Sequence, residues 1–534
     1  MGKWFSIDIA IKLGLVFFAI LGFFFKSSIV FLEISLAILS LELVRQSFLN
    51  LEKSFFLFFF TLFLILGTTL KYFLNRLIGV NFIEAVGDFT FQPEAWREVL
   101  LCLFAGLISL LLVHHLVKNK SLQFNLPNSS PIKISKKFNF KLNTLFVALF
   151  VFAVIISLIN YVYGIHRVGL TPDTIWPWPA NALIAFAVNI GLCIGFFLLL
   201  DMDLKVKSRL SIKYLIVTVI CLGIISFSTL SRSILLFQIA PALMVILYSH
   251  RIEILKVKYS ILPLCFVGLL ILSIMVTSQQ RRDMYLGGES NNSSINQKIL
   301  GRIEILEGGI NQLETLVASG QGDLLYLEQL KNEKKILEDK IKNSFDEKRN
   351  VENLSIKFRL SKINLSYEEF IKTLETMLQL TLSRFVGIEG IMSVQSFDGK
   401  SYSLFLTALK EKRSLDKDTI YQFVAKSNYR FTDKNMWQYA TMPGLIAFLY
   451  MSGALAIVFI GVLIFSGLLF FYEQLIRIIS GGAMFTTSMI SCYYATSLAQ
   501  IGLAPRSLII YLILIPICIY LGKKTIERYA IIEM

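Results

Sequence analysis

Glu98-Val-Leu-Leu-Cys-Leu-Phe-Ala-Gly-Leu-Ile-Ser-Leu-Leu-Leu-Val-His-His-Leu116 decides the fold. No charged side chain interrupts it between Glu98 and His114. As a helix it is about 28 Å long, close to the hydrocarbon thickness of a bilayer, about 30 Å. Lipid offers the backbone no hydrogen-bond partner, so a run of this kind must close its own bonds as a helix. Comparable runs lie near 6–25, 27–44, 54–74, 143–163, 179–200, 212–230, 233–249 and 259–277, then 443–470, 480–500 and 506–522. They predict an all-α polytopic membrane protein of about twelve transmembrane helices. One large extracytoplasmic loop interrupts the series.

Composition agrees. Apolar residues make up 55% of the chain and charged residues 17%, with 45 phenylalanines suited to a lipid-facing surface. A soluble domain carries charge on about a quarter of its residues. The net charge is +15. Its basic residues sit mostly in short loops between apolar runs, without a basic stripe bearing aromatics, so the balance excludes a nucleic-acid partner and points to positive-inside topology.

The charges also orient the spans. Lys118, Lys120, Lys133, Lys136, Lys137 and Lys141 share one loop; Lys205, Lys207, Arg209 and Lys213 share another. Arg251, Lys256 and Lys258 follow, and Lys523, Lys524 and Arg528 lie in the tail. With about twelve spans all four groups face the same side, expected to be the cytoplasm. Both termini are then cytoplasmic, in an inner membrane, and residues 278–442 are periplasmic. The chain divides into a bundle at 1–277 with about nine helices, the loop domain at 278–442, and about three helices at 443–534. The first apolar run is followed at once by a second, so it is expected to stay as a helix rather than be cleaved as a signal.

Within the loop, Ile303, Leu306, Ile310, Leu313 and Leu316, then Leu324, Leu327, Leu330, Leu337 and Ile341, recur at helical spacing around Gly320 and Gly322. The pattern predicts a helical hairpin near 296–350, resembling a short antiparallel coiled coil. A second amphipathic stretch, 366–395, suits the membrane surface or the roof of a cavity.

The six cysteines, Cys102, Cys193, Cys221, Cys265, Cys492 and Cys518, all fall in apolar runs and read as small core residues. There is no P-loop, GxGxxG, HExxH or GxSxG. His166 is the one histidine expected on the outer side, so neither a metal site nor a cofactor is expected.

Four polar groups stand at the expected outer helix mouths. The first is Tyr163-Gly-Ile-His166-Arg167, with Pro172-Asp173 and Trp176-Pro-Trp178-Pro179. It suits an interfacial aromatic belt or a sugar platform of Trp176 and Trp178, beside a base, His166, with Arg167 and Asp173 as substrate-binding groups. The second, Ser228-Thr-Leu-Ser231-Arg232-Ser233, places Arg232 at the membrane boundary. There it either snorkels or faces a hydrated cavity and grips phosphate. The third, Ser383-Arg384-Phe-Val-Gly-Ile-Glu389-Gly390, offers either a structural Arg384–Glu389 pair or a second pyrophosphate contact with a carboxylate base. The fourth, Tyr439-Ala-Thr-Met-Pro443-Gly444, opens a span that also holds Gly453 and Gly461 and reads mainly as packing.

These groups resemble the Wzy-type O-antigen and exopolysaccharide polymerases, a GT-C-like family also related to the O-antigen ligases. The resemblance runs from about 140 to 470. It rests on Ser231-Arg232-Ser233 opening a span, Arg384 in the large loop, and Thr441-Met-Pro-Gly-Leu-Ile-Ala-Phe-Leu-Tyr450 followed by Ser452-Gly453. Trp176-Pro-Trp-Pro-Ala-Asn-Ala-Leu-Ile184 is also similar. The 296–350 insert departs from the family core.

The resemblance implies a metal-independent transfer from an undecaprenyl-pyrophosphate-linked oligosaccharide to a sugar hydroxyl of a second lipid-linked unit, with a chain-length regulator protein as a possible partner. Arg232 and Arg384 would stabilise the pyrophosphate leaving group, His166 or Glu389 would take the acceptor proton, and Ser231 and Tyr439 would help hold substrate. The competing classes are the related ligase, a polysaccharide transporter or flippase, and a sensor. A transporter predicts internal repeats and polar groups near the midplane, and no convincing repeat is visible. A sensor predicts a cytoplasmic output domain, for which those segments are too short.

Overall fold

The computed structural model describes residues 29–79, 82, 84–118, 136–168, 172–207, 211–231, 241, 242, 245, 331, 334, 335, 385, 387–411, 418–427, 442–500 and 505–531. Every regular element among them is helical. In order they are α1 (Val30–Leu49), α2 (Phe55–Ile65), α3 (Lys71–Ile78), α4 (Pro93–Lys118), α5 (Lys136–Tyr163), α6 (Ala180–Phe186), α7 (Leu192–Lys207) and α8 (Ile212–Ser228). There follow α9 (Ile388–Gln395), α10 (Tyr402–Lys410), α11 (Ile420–Val424), α12 (Leu445–Tyr450), α13 (Leu455–Ser480), α14 (Met484–Ala499) and α15 (Pro505–Ile531).

Among the described residues six helices are long and apolar enough to cross a membrane: Phe55–Leu77, Pro93–Val117, Lys141–Tyr163, Ala180–Lys205, Leu455–Ser480 and Leu508–Ile526. The first and fourth are 67% and 61% buried and form the interior, whereas Lys141–Tyr163 and Leu508–Ile526 are only 22% and 11% buried. Those two therefore turn most of their apolar surface outward, as lipid contact requires. The apolar runs at 6–25 and 259–277 lie outside the described residues, as does nearly all of 233–249.

Two spans are not uniform α-helix. Leu66–Leu70 joins α2 to α3 and Ala187–Gly191 joins α6 to α7, each as a π-turn. Such bulges cluster at functional sites because the extra residue re-aims the side chains that follow.

The expected span at 443–470 is corrected. It divides into the short α12, a turn at Met451–Ala454 with Gly453 at φ +76°, and α13, which runs on to Ser480. Glycine adopts that left-handed φ without steric cost and so ends the first piece. The described end of the 366–395 stretch departs from one of the two expectations for it, a helix lying on the membrane surface. Ile388, Ile391 and Met392 are fully buried, so α9 is an interior helix rather than a surface one.

Helix-end contacts show which ends of the bundle share a side. Glu473 of α13 accepts from Ser54 Oγ at 2.5 Å and from the backbone N–H groups of Phe55 and Phe56 at 2.9 and 3.1 Å, capping α2. Arg477 donates to the same carboxylate at 2.8 Å. Asp201, near the end of α7, accepts from Phe485 N and Thr486 N, both at 2.8 Å, and caps α14. Asn50, just past α1, donates to the carbonyl of His114 in α4 at 3.2 Å. A carboxylate suits a helix N-terminus, where free N–H groups and the macrodipole are both positive. With these ends together, the antiparallel run of the helices carries Lys71, Arg97, His166, Ser228 and α9 to the opposite end.

Met275–Leu374 makes up a second compact unit. Lys331, Lys334 and Lys335 are its described residues, and they are helical. The rest of the hairpin expected at 296–350 lies outside the described residues.

Candidate functional site

Two polar nodes occupy that opposite end, and each is built on one of the π-turns. The first gathers around Asn160, a fully buried residue near the end of α5. Its amide nitrogen donates to the carbonyls of His166 at 3.0 Å and Ser228 at 2.9 Å, and its oxygen accepts from His166 N at 2.8 Å. Val168 N donates to Thr229 O at 3.1 Å. The His166 loop is thereby fastened to the end of α8, one residue pair before Ser231.

His166 Nε2 lies 3.0 Å from Asn189 Oδ1, inside the second π-turn. An oxygen acceptor at Nε2 puts the proton of the neutral ring on that nitrogen, so Nδ1 is the basic one. This is the tautomeric control a proton acceptor needs.

Several expected ligands hold one another instead. Arg167 makes a bidentate pair with Asp173, NH1 to Oδ1 and NH2 to Oδ2, both at 2.8 Å. Gly164, at φ +56°, brings this pair against the turn: a Cβ there would lie 2.5 Å from Asp173 Oδ2. Tyr163 and Trp176 form an edge contact with centroids 5.4 Å apart, while Trp178 is 84% exposed. Of the two tryptophans proposed as a sugar platform, Trp178 is open to a ligand and Trp176 is committed to Tyr163. Ser231 is buried, and its carbonyl accepts from Ser226 Oγ at 2.6 Å.

The second node is Glu389 in α9. Lys71, the residue that follows the first π-turn, donates to its Oε1 at 2.7 Å, and both side chains are nearly inaccessible at 5% and 4%. Glu389 Oε2 is buried and has no hydrogen-bond partner among the described residues. Lys71 is thus a partner of Glu389 that the sequence did not offer; Arg384, the partner it did offer, lies outside the described residues. Tyr421 of α11 stands close by, near enough to feel the Glu389 carboxylate. Burial above all, and then the carboxylates of Glu389 and Glu84, push the Tyr421 phenol above its ordinary range, so it stays neutral.

α9 is clamped on both sides. A Cβ on Gly387 would lie 2.6 Å from the carbonyl oxygen of Gly67 in the π-turn, and one on Gly390 would lie 1.9 Å from that of Pro443. The third and fourth sequence groups therefore meet backbone to backbone, as the first and second do through Asn160.

Arg97, in the second turn of α4, had no role in the sequence reading. Its Nε is buried without an acceptor among the described residues, whereas Arg76, Arg167 and Arg477 each have a carboxylate. A membrane-end arginine next to Trp96, with no acid at a helical neighbour position except Glu94, is the signal that could have found it. Arg232, Arg384 and Tyr439 lie outside the described residues. Among the described residues no group of three or more His, Cys, Asp or Glu side chains is placed to hold a metal. The five described cysteines are free thiols, four of them buried.

The chain matches no family model, no curated protein and no solved structure.

Proposed function

We propose that this chain is a membrane glycosyltransferase that polymerises undecaprenyl-pyrophosphate-linked oligosaccharide repeat units into O-antigen, capsule or exopolysaccharide at the outer face of an inner membrane. The observation that carries this reading is the pairing of four sequence-distant polar groups at one end of the helical bundle. There the His166 loop is tied to the Ser228–Ser231 step, and the Glu389 helix to Pro443.

The chemistry asks for little more. The donor bond to pyrophosphate already holds the driving energy, so no nucleotide site is required. Cations near the membrane boundary stabilise charge that grows on the leaving pyrophosphate, and pre-placed charge of this kind is the largest single term in many enzymes. Arg97 supplies one such cation, and Arg232 and Arg384 are proposed as two more. His166, with its tautomer set by Asn189, or Glu389 receives the acceptor proton. Tyr439 and Trp178 are proposed to contact the sugars. The cytoplasmic placement of the end bearing Asp201 and Glu473 is part of the same proposal and follows the lysine-rich loops.

Deleting the gene distinguishes this activity from its neighbours. A polymerase leaves single repeat units on the lipid carrier. Unattached long polymer would instead mark a ligase, and lipid-linked units held at the cytoplasmic face would mark a flippase. Either of those outcomes overturns the proposal.

A further inference from the structure

A lysine at a membrane boundary ordinarily lets its ammonium reach freely into water. Lys213, in the first turn of α8, is held instead. Its ammonium donates to Asn143 Oδ1 of α5 at 3.4 Å and lies 4.9 Å from the centre of the Tyr214 ring. The Tyr214 hydroxyl donates to the same Asn143 oxygen. The ring is buried and stacked on Phe146 of α5, with centroids 4.1 Å apart and planes 2° apart. Two helices therefore fix one cation at a set height, and Lys213 still remains exposed. Asp203, the carboxylate near Tyr214, is fully buried and accepts from Ser211 N at 2.9 Å.

The surface that starts from this corner is apolar. Ile216 and Ile220 continue the Lys213 row of α8 and are each 41% exposed. Val147 and Val151 continue the Asn143 row of α5 and are exposed as well. α5 and α8 run in the same direction, since Asn143 meets Lys213 at one end and Asn160 meets Ser228 at the other. The two rows thus begin at touching residues and run on together toward the membrane interior. Lys205 stands exposed at the end of α7, and Lys207 and Arg209 follow it in the sequence, so the mouth of the groove is basic.

We propose that this groove binds an anionic phospholipid of the leaflet at the lysine-rich end, with its phosphate on Lys213 and an acyl chain along the isoleucine and valine rows. Tyr214 and Asn143 occupy one side of the ammonium, and a phosphate oxygen takes the other. A zwitterionic headgroup brings its own cation to the same basic mouth, so a headgroup of net negative charge is preferred. Free phosphate lacks a chain and gains nothing from the two rows. The inference is independent of the glycosyl-transfer reading.

The test is native mass spectrometry of the full chain in detergent, titrated with phosphatidylglycerol or with phosphatidylcholine of the same acyl chains. Wild type is expected to retain phosphatidylglycerol under activation that strips phosphatidylcholine. Lys213→Gln is expected to fold with the wild-type Tm in detergent, because the side chain is exposed. It should bind phosphatidylglycerol about fivefold more weakly, the affinity one lysine adds at an anionic membrane surface. Lys213→Arg should bind as wild type does. Inorganic phosphate at the concentration of the lipid should displace none of it.

Equal retention of the two lipids by wild type, or wild-type affinity in Lys213→Gln, overturns the site. Displacement by inorganic phosphate reduces it to a simple anion site and overturns the lipid. Lys524→Gln is the control for diffuse attraction, since Lys524 also lies over a tyrosine, 5.4 Å from the Tyr520 ring, but within its own helix. A loss there equal to that in Lys213→Gln overturns a site confined to α5 and α8. None of these results bears on elongation, so the proposed activity stands or falls separately.

Discussion

Gly390 and Pro443 meet backbone to backbone, so closely that a methyl group on Gly390 would lie 1.9 Å from the Pro443 carbonyl oxygen. The contact joins α9 to the entry of α12 across a separation of more than fifty residues. It also fixes the height of Glu389 in the bundle, since α9 is held on its other side by Gly67.

Gly390→Ala is accordingly expected to be among the most damaging single substitutions in the chain. Backbone cannot move aside as a flexible side chain does, so the loss should reach about 2–4 kcal/mol, in the upper range for point changes. Thermal unfolding of the detergent-solubilised protein measures it. Gly467→Ala, where a Cβ meets nothing within 4 Å in the described structure, is the control and should leave Tm unchanged. Equal Tm values for the two variants would contradict the clamp.

Glu473 serves two partners at once, the α2 N-terminus and Arg477, and all of them are buried. Glu473→Ala leaves the arginine without its carboxylate and α2 without its cap. Breaking one side of a buried pair costs about 3–5 kcal/mol. Arg477→Met is expected to cost less, because the carboxylate keeps the Ser54, Phe55 and Phe56 donors. The ratio of folded to aggregated protein after extraction, compared between the two variants, tests that order.

The helices were legible because burial in lipid and burial in protein ask for the same apolar runs. The run 98–116 indeed falls within α4. Their interruptions were not legible. Nothing in Leu66-Gly-Thr-Thr-Leu70 or Ala187-Val-Asn-Ile-Gly191 distinguishes a π-turn from α-helix, because the bulge is chosen by what packs beside it. His166 and Glu389 stood out as polar residues beside apolar runs. Lys71 did not, because no acid stands at a helical neighbour position beside it, and only the fold brings it to a carboxylate 318 positions away. Arg167 and Asp173 were both recognised, but separately, and their mutual pairing depends on the turn at Gly164.

Glu411 gives a pH signature outside the spans. Burial raises its carboxyl above the ordinary 4.5, opposed by the N–H of Ile420, which donates to it at 2.8 Å. Between 4.5 and the raised value, the folded protein holds a proton that the unfolded chain has released. Stability supplied by this group is therefore fully present below 4.5 and falls as pH rises through the folded value. Glu411→Gln keeps an oxygen for Ile420 and has nothing to titrate. It should flatten that part of the Tm-against-pH curve and raise Tm slightly at neutral pH, the effect being small because the group is partly exposed. A curve parallel to wild type through this range would show that the carboxyl is not held back by burial.

His166 and Asn189 make the last prediction, which concerns chemistry rather than stability. Under the proposed reaction, the 3.0 Å contact between Nε2 and Asn189 Oδ1 keeps the ring proton on one nitrogen and the basic lone pair on the other. His166→Ala is expected to slow elongation about 10²–10⁴-fold if the ring transfers a proton. Asn189→Leu leaves the ring in place but removes the hydrogen bond that selects the tautomer, so its loss should be smaller and fall on kcat rather than KM. The fastening of the loop runs through Asn160, not through the imidazole, so neither change should release the loop from Ser228. Initial rates on lipid-linked repeat units, at matched protein levels in membranes, separate the two variants. If both elongate at the wild-type rate, the imidazole is a spectator and proton transfer falls to Glu389 alone.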